Sequence, residues 1–198
     1  MNFKINKTYI GDNYPTYFIA DISANHDGSL SRAKKLIRLC AKAGANAAKF
    51  QHFKAETIVS DFGFKKIGKL THQNKWKKSV FQVYKEASLN PNWTNELKKE
   101  CKKYKIDFFS APYDLDYVDQ LNKHMQAYKI GSGDISWHEI IERIAKKGKP
   151  IFLATGASEI NEVKKAFNIL YKENKKICLM QCNTNYTAEK NNFNFLNL

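Results

Sequence analysis

The sequence has no long apolar run. No stretch approaches the roughly 18 consecutive apolar residues that a membrane-spanning helix needs, and the opening residues, MNFKINKTYI, lack the apolar centre of a secretion signal. We therefore expect a soluble, cytoplasmic protein with no membrane partner. With 43% hydrophobic residues among 198, the chain still has enough apolar material for the core of one domain.

Cysteine is scarce and follows no metal-binding pattern. Cys40, Cys101, Cys178 and Cys182 show neither CxxC nor zinc-finger spacing. No paired histidine spacing supports a metal site either, and a single histidine such as His26 is more often a hydrogen-bonded structural residue. We expect buried free thiols in a reducing compartment and no metal ligands within this chain.

Arginine is rare although the chain is strongly basic. The net charge is +14, but only Arg32, Arg38 and Arg143 among the 33 basic residues are arginine. Specific recognition of nucleic acid relies on the planar arginine fork, and the lysines are spread along predicted helices. The composition therefore favours solvated helix faces over a nucleic-acid partner, while the positive field would attract an anionic substrate.

Short apolar runs recur along the chain, and each ends in small or polar residues. They do not alternate cleanly, which is typical of strands buried on both faces of a parallel sheet. The six runs begin at Tyr17, Ala47, Ile106, Ala127, Pro150 and Ile177.

Amphipathic helical segments separate these runs. Helical stripes cover 33–41 and 140–145, Thr94 opens another helix, and Ser158 is the predicted N-cap of a fourth. An open doubly wound sheet would normally carry a glycine-rich phosphate loop after its first strand, but that turn reads SANHDGSL. The predicted fold class is therefore α/β, of the (βα)8 TIM-barrel type.

One connection is unusually long. Between Phe53 and Pro91 the sequence is mostly polar, with a short helix predicted around 80–87. Such excursions are usually lids or flexible insertions, and here the loop would overhang the active-site face of a barrel. Gln73 and Asn74 are possible substrate contacts, although a solvated loop is the stronger expectation for each. Because a barrel closes with eight strands and six are predicted, we expect residues 1–198 to form the N-terminal part of a barrel.

Polar side chains gather where the predicted strands end, which is where (βα)8 barrels build their active sites. These residues are Asp21, Asn25, Lys49, Gln51, Ser110, Asp114, Lys129, Ser132, Thr155, Gln181, Asn183, Asn185 and Tyr186. Asp21 is the candidate catalytic acid, as a carboxylate that holds water, a metal or a substrate hydroxyl. Its alternative role is a turn or helix cap.

Lys49 and Lys129 are the most informative pair. Each lies inside a short apolar strand, where an unpaired ammonium is costly. They belong to the second and fourth strands, and alternate strands of a barrel contribute to the same interior layer. A bound phosphate would neutralise both, so we expect the two side chains to converge on an anion. Each lysine could instead pair with a structural carboxylate or extend outward.

Six segments in order resemble the N-terminal barrel of the sialic acid synthase family, which includes the pseudaminic and legionaminic acid synthases. They are FIADISANHDGSL, GANAAKFQ, FFSAPYD, AYKIGSGDI, KPIFLATGAS and CNTNYTA. SANH resembles the pseudaminic acid synthases, whereas YKIGSGD resembles the N-acetylneuraminate synthases. The two motifs therefore indicate different substrates.

The resemblance implies a reaction between phosphoenolpyruvate and an N-acylated amino sugar similar to N-acetylmannosamine. Carbon C3 of phosphoenolpyruvate attacks the open-chain aldehyde, which a divalent metal (Mn or Mg) polarises; water attacks C2 and phosphate leaves. Lys49, Lys129 and Ser132 match positions that hold phosphoenolpyruvate. Gln51 and Tyr186 match positions near the sugar. CNTNY matches a family segment in which an Asn contacts ligand, and Asn183 is the candidate here.

Some family features differ or are expected to be missing. Asp21 stands where relatives commonly have Glu, and Ala111 and Ala154 stand where Ser or Thr is frequent. We expect the later strands with the family's metal-binding histidines, and the C-terminal antifreeze-like domain, to be absent. A homodimer is expected for the full-length family member, and no turnover for the 198-residue chain alone. The alternatives are a truncated, inactive fragment, or a related barrel aldolase or sugar-acid synthase with another acceptor.

The lysine distribution predicts weak binding to nucleic acid. If the excess charge only solvates helices, affinity for duplex DNA should be low and should vanish by physiological salt, because counterion release alone drives it. Fluorescence anisotropy with a labelled duplex at increasing salt measures this. A tight complex that resists salt would contradict the interpretation.

Overall fold

The computed structural model describes residues 2–67, 73 and 75–184. The chain divides into two compact units: one spans Tyr17–Met125, and the other combines the residues before and after this range. In chain order the strands are β1 (Phe3–Ile5), β2 (Thr8–Ile10), β3 (Ile19–Ser23), β4 (Ala47–His52), β5 (Asp107–Pro112), β6 (Tyr128–Ile130), β7 (Ile151–Ala154) and β8 (Ile177–Met180). The helices are α1 (Leu30–Lys42), α2 (Ala55–Ile58), α3 (Asp61–Ile67), α4 (Val80–Ala87), α5 (Thr94–Lys103), α6 (Leu115–Leu121), α7 (His138–Ala145) and α8 (Ile160–Glu173).

The 17–125 unit is built on three parallel strands. β4 lies between β3 and β5, with Ile19 opposite Ala47 and Ala47 opposite Asp107. Helix α1 connects β3 to β4, and α5 leads into β5, so each crossover from one parallel strand to the next contains a helix. This arrangement brings the carboxyl ends of the three strands to the same edge of the sheet.

The second unit contains another parallel set. β7 pairs with β6 on one side and with β8 on the other, while α7 and α8 form the crossovers. An antiparallel hairpin of β1 and β2 belongs to the same unit, and Phe3 contacts the Phe152 ring edge to face, with centroids 6.2 Å apart. Sequence patterns did not predict the hairpin, because its three-residue strands are too short to show alternation.

The predicted strands and helices are otherwise confirmed, with two corrections. Helix α8 is capped by Glu159 in a reciprocal capping box with Glu162; the prediction that Ser158 is the N-cap was wrong, since its hydroxyl donates to the carbonyl of Gly156. All four cysteines are free, but only Cys101 is fully buried and the other three are partly accessible.

Helices α1 and α5 pack side by side over the strands of the 17–125 unit. Ala33 and Ile37 of α1 and Leu97 of α5 are fully buried, and the ammonium of Lys34 meets the carboxylate of Glu96 at 2.9 Å on the rim of this contact. The apolar stripe carries the stability, because a partly exposed ion pair contributes little. Within the described part of the chain, no helix combines the length and apolar content needed to cross a membrane.

Leu97→Ala should lower the free energy of unfolding by about 3 kcal/mol, because it removes a fully buried side chain and leaves a cavity. Urea unfolding followed by circular dichroism measures the loss. Leu39→Ala is the matched control, since Leu39 is 46% exposed on α1, and it should cost well under about 1 kcal/mol. Equal losses would contradict this packing.

Candidate active site

An ion pair joins Asp21 of β3 to Lys49 of β4. Asp21 lies directly opposite Lys49 in the strand register, and the ammonium of Lys49 is 2.8 Å from the Asp21 carboxylate. The Lys49 side chain is only 9% exposed, whereas that of Asp21 is 56% exposed. A carboxylate therefore compensates the buried ammonium while remaining open to solvent. Asp21 is a strand residue here and caps neither a turn nor a helix.

A second polar layer lies one step nearer the carboxyl ends of these strands. The hydroxyl of Ser23 donates to the side-chain carbonyl of Gln51, and the Gln51 amide donates to the Tyr113 hydroxyl at 3.0 Å. Ser23 has a positive φ of 51° at an irregularity in the β3–β4 register, a feature that re-aims side chains. Gln51 is thus held by two residues that the sequence did not single out.

The opposite face of β4 carries a buried histidine network. His52 is fully buried; its Nδ1 is 2.6 Å from the Ser110 hydroxyl and its Nε2 is 2.9 Å from the Thr94 hydroxyl. Because Thr94 donates its own proton to the Pro91 carbonyl at 2.7 Å, it accepts from Nε2–H, and Nδ1 accepts from Ser110. Ser110 therefore lies on the face of the sheet opposite to Lys49 and Gln51, since side chains alternate between faces.

Burial controls the charge of His52. Desolvation lowers the pKa of the imidazole from 6.5 to about 3, and the nearby His124 and His26 lower it in the same direction. His52 is therefore neutral at physiological pH, as its two hydrogen bonds require. It connects the carboxyl end of β4 to the start of α5 and does not belong to the Asp21–Lys49 side of the sheet.

Other candidates at the strand ends have structural roles. Asp114 caps α6 by accepting from the Asp116 amide at 2.9 Å, and its second oxygen lies 3.4 Å from the Lys54 ammonium. Asn25 donates to the Ile22 carbonyl at 2.9 Å. His26 is fully buried and accepts from the Gly28 amide at 3.1 Å. These contacts stabilise the turns that follow β3 and β5.

The second unit supplies its own group of polar residues after β6. The ammonium of Lys129 donates to the Ile130 carbonyl at 2.9 Å. The Ser132 hydroxyl accepts from the Gly156 amide at 3.0 Å. Burial raises the pKa of the Asp134 carboxyl to about 6, against the opposing effects of a Gly131 hydrogen bond and the Lys129 charge. Sequence patterns did not single out Asp134, whose carboxyl pKa of about 6 places its titration near neutral pH.

Residues further along are only partly described. Thr155 donates both its amide and its hydroxyl to the Met180 carbonyl, each at 3.0 Å, so it fastens β7 to β8. Asn183 is half-buried beyond β8. Gln73 is buried, at 3% exposure, contrary to the expectation of a solvated loop residue. Asn74, Asn185 and Tyr186 lie outside the described residues.

The described residues do not fit a metal ion. Within 2–67, 73 and 75–184, no group of three or more His, Cys, Asp or Glu side chains is arranged to hold one. Asp21, the carboxylate predicted to hold water, a metal or a substrate hydroxyl, forms an ion pair with Lys49. Lys49 and Lys129 lie in different units, so their convergence on one anion stays a prediction.

The sequence profile of the NeuB family matches residues 36–198. The chain belongs to the NeuB family. It is 38% identical to the N,N'-diacetyllegionaminic acid synthase of Campylobacter jejuni over 90% of its own length and 54% of that protein. It is 27% identical to the human N-acetylneuraminate-9-phosphate synthase over 94% of its length and 52% of that protein. The chain spans about half the length of these curated relatives.

A solved structure supports the fold of this NeuB-family chain. The N-acetylneuraminic acid synthetase of Leptospira borgpetersenii, crystallised with citrate, matches it with a TM-score of 0.83 and 26% identity, over 98% of this chain and 63% of that one. The fold class is therefore α/β, of the TIM-barrel type, as the strand and helix pattern predicted.

The buried state of His52 predicts a specific pH dependence. The unfolded chain takes up a proton near pH 6.5 and the folded chain only near pH 3, so this part of the stability is complete above pH 6.5 and is lost as pH falls toward 3. Between about pH 7 and about pH 5, the wild type should lose about 2 kcal/mol more unfolding free energy than His52→Asn. Urea unfolding at each pH measures the difference, and parallel profiles would contradict it.

Proposed function

We propose that this chain carries the phosphoenolpyruvate-binding part of a synthase that makes a nonulosonic (sialic-type) acid. In the reaction, C3 of phosphoenolpyruvate bonds to the aldehyde carbon of an N-acylated amino sugar. Water then adds to C2, and the C2–O bond breaks to release phosphate. The names of the relatives support this class of product.

The Asp21–Lys49 pair is the observation that carries the proposal. Lys49 is almost entirely buried, while the carboxylate that holds it is more than half exposed. The exposed carboxylate brings this ion pair to the solvent boundary, where an arriving anion would compete with Asp21 for the ammonium. The desolvated charge strengthens each hydrogen bond that it donates to a carboxylate or phosphate oxygen. The Asp21 carboxylate, which is 56% exposed, remains able to accept a hydrogen bond from a substrate hydroxyl or water.

The second unit carries three residues with suitable groups of its own. Lys129 has an ammonium, and the Ser132 hydroxyl is a neutral donor suited to a phosphate or carboxylate oxygen. Asp134, whose carboxyl pKa is raised to about 6 by burial, suits proton transfer near neutral pH. Gln51, held by Ser23 and Tyr113, presents an amide for a sugar hydroxyl or N-acyl group.

Several further properties belong to the same proposal. The net charge of +14 raises the local concentration of an anionic substrate such as phosphoenolpyruvate. We expect a cytoplasmic enzyme, a homodimer in the full-length protein and a divalent metal, Mn or Mg. Among the described residues, no group of three or more metal-ligating side chains occurs.

The proposal leaves open which amino sugar is the acceptor. The relatives are named for different products, a diacetyllegionaminic acid in one and a 9-phosphorylated neuraminate in another. A related barrel synthase with another acceptor would use the same phosphoenolpyruvate site. Incubation of the version extended through two more βα units and the C-terminal domain with phosphoenolpyruvate, Mn²⁺ and either N-acetylmannosamine or its 6-phosphate, followed by mass spectrometry, distinguishes the acceptors.

Lys49→Gln should weaken phosphoenolpyruvate binding about tenfold or more, since it removes a charge-assisted hydrogen bond to the anion. Isothermal titration calorimetry with phosphoenolpyruvate measures the change. Lys164→Gln is the matched control: it removes the same charge from an exposed position on α8 and should leave the affinity within about twofold, because exposed charges are screened. Equal weakening by both variants would mean that only net charge matters.

A further inference from the structure

Gly156 is the point at which three segments of the second unit meet. It is buried and directly follows Thr155 at the end of β7. Its amide donates to the Ser132 hydroxyl at 3.0 Å. A Cβ at this position would lie 2.6 Å from the Thr184 methyl, 3.0 Å from the Cys182 carbonyl and 3.0 Å from the Ser132 hydroxyl. A Cβ there would force the Thr184 side chain to move and would crowd the Cys182 carbonyl and the Ser132 hydroxyl.

Backbone conformation does not explain this glycine. Gly28, Gly44 and Gly148 have φ between +66° and +89°, in the left-handed region that glycine favours. Gly156 does not have a positive φ, so an L-residue could adopt its backbone angles. Gly156 is instead favoured by space, because Ser132 after β6 and Cys182 and Thr184 after β8 all lie close to the position that a Cβ of residue 156 would occupy.

This close approach determines what the Ser132 hydroxyl can do. A hydroxyl has one proton and two lone pairs, and the Gly156 amide occupies one lone pair. Within the described range, no protein acceptor takes the Ser132 proton. Accepting one hydrogen bond polarises the O–H group and makes it a better donor. Ser132 is therefore prepared to donate to an anion.

We infer that Gly156 is a positioning residue for anion binding, acting through Ser132: its amide orients the hydroxyl, and its missing side chain leaves room for the hydroxyl to approach that amide. The inference rests on the proposed function, in which Ser132 binds phosphoenolpyruvate. Gly156 itself need not touch the substrate. Its contribution exists only while the Ser132 hydroxyl is present.

A double-mutant cycle tests this dependence, with phosphoenolpyruvate affinity measured by calorimetry. Ser132→Ala and Gly156→Ala should each weaken binding about tenfold, and the double variant should be no weaker than Ser132→Ala alone. Gly133→Ala is the matched control, because a Cβ at Gly133 meets no atom within 4 Å, and its affinity should stay within about twofold of the wild type. Losses that multiply to about a hundredfold would show that Gly156 acts independently of Ser132, which overturns the inference.

A second measurement does not require Gly156→Ala to fold. In the wild type, the amide proton resonance of Gly156 should shift when phosphoenolpyruvate is added, and it should also shift in Ser132→Ala, where its acceptor is lost. A resonance that moves in neither case overturns the inference while leaving phosphoenolpyruvate binding intact. Absence of binding by the wild type in calorimetry would instead refute the proposed function, and the inference with it.

Discussion

The ion pair between Lys49 and Asp21 is the constraint around which the 17–125 unit is arranged. An ammonium on a buried strand needs a partner, and the parallel register places Asp21 directly opposite it, at 2.8 Å. A shift of one residue in this register would turn Asp21 to the other face of β3 and leave the lysine uncompensated. The register changes directly after this pair, at Ser23, whose hydroxyl then donates to the side-chain carbonyl of Gln51.

The two faces of β4 perform different tasks with adjacent residues. Lys49 and Gln51 belong to the polar layers, whereas Phe50 stacks on Phe108 and His52 bonds to Ser110 and Thr94. The histidine network satisfies polar groups that would otherwise be buried without partners, and it fastens the start of α5 to the end of β4. Rigid support on one face of the strand holds the side chains of the other face in place.

In the second unit, the residues that follow β6, β7 and β8 are held together by contacts to backbone groups rather than by an ion pair. Thr155 fastens β7 to β8 through the Met180 carbonyl, and Gly156 then lets Ser132 approach its amide. Asp134 follows in the same turn, and burial raises its carboxyl pKa to about 6. A donor and a group that titrates near neutrality thus arise from four consecutive residues beginning at Gly131, supported by the turn after β7.

The sequence by itself determined the strands β3 to β8, the helices α1, α4, α5, α7 and α8, the fold class and the family, because apolar periodicity and ordered motifs are local properties of the chain. It did not predict the β1–β2 hairpin or the short helices α2, α3 and α6. Tertiary structure decided which face each side chain occupies and which partner it has. Ser110 binds His52, Asp114 caps a helix and Glu159 replaces Ser158 as a cap. These contacts depend on strand register, on the positive φ of Ser23 and on the close packing of other segments against Gly156. Register and close packing join residues that are far apart in sequence, so they leave no local pattern.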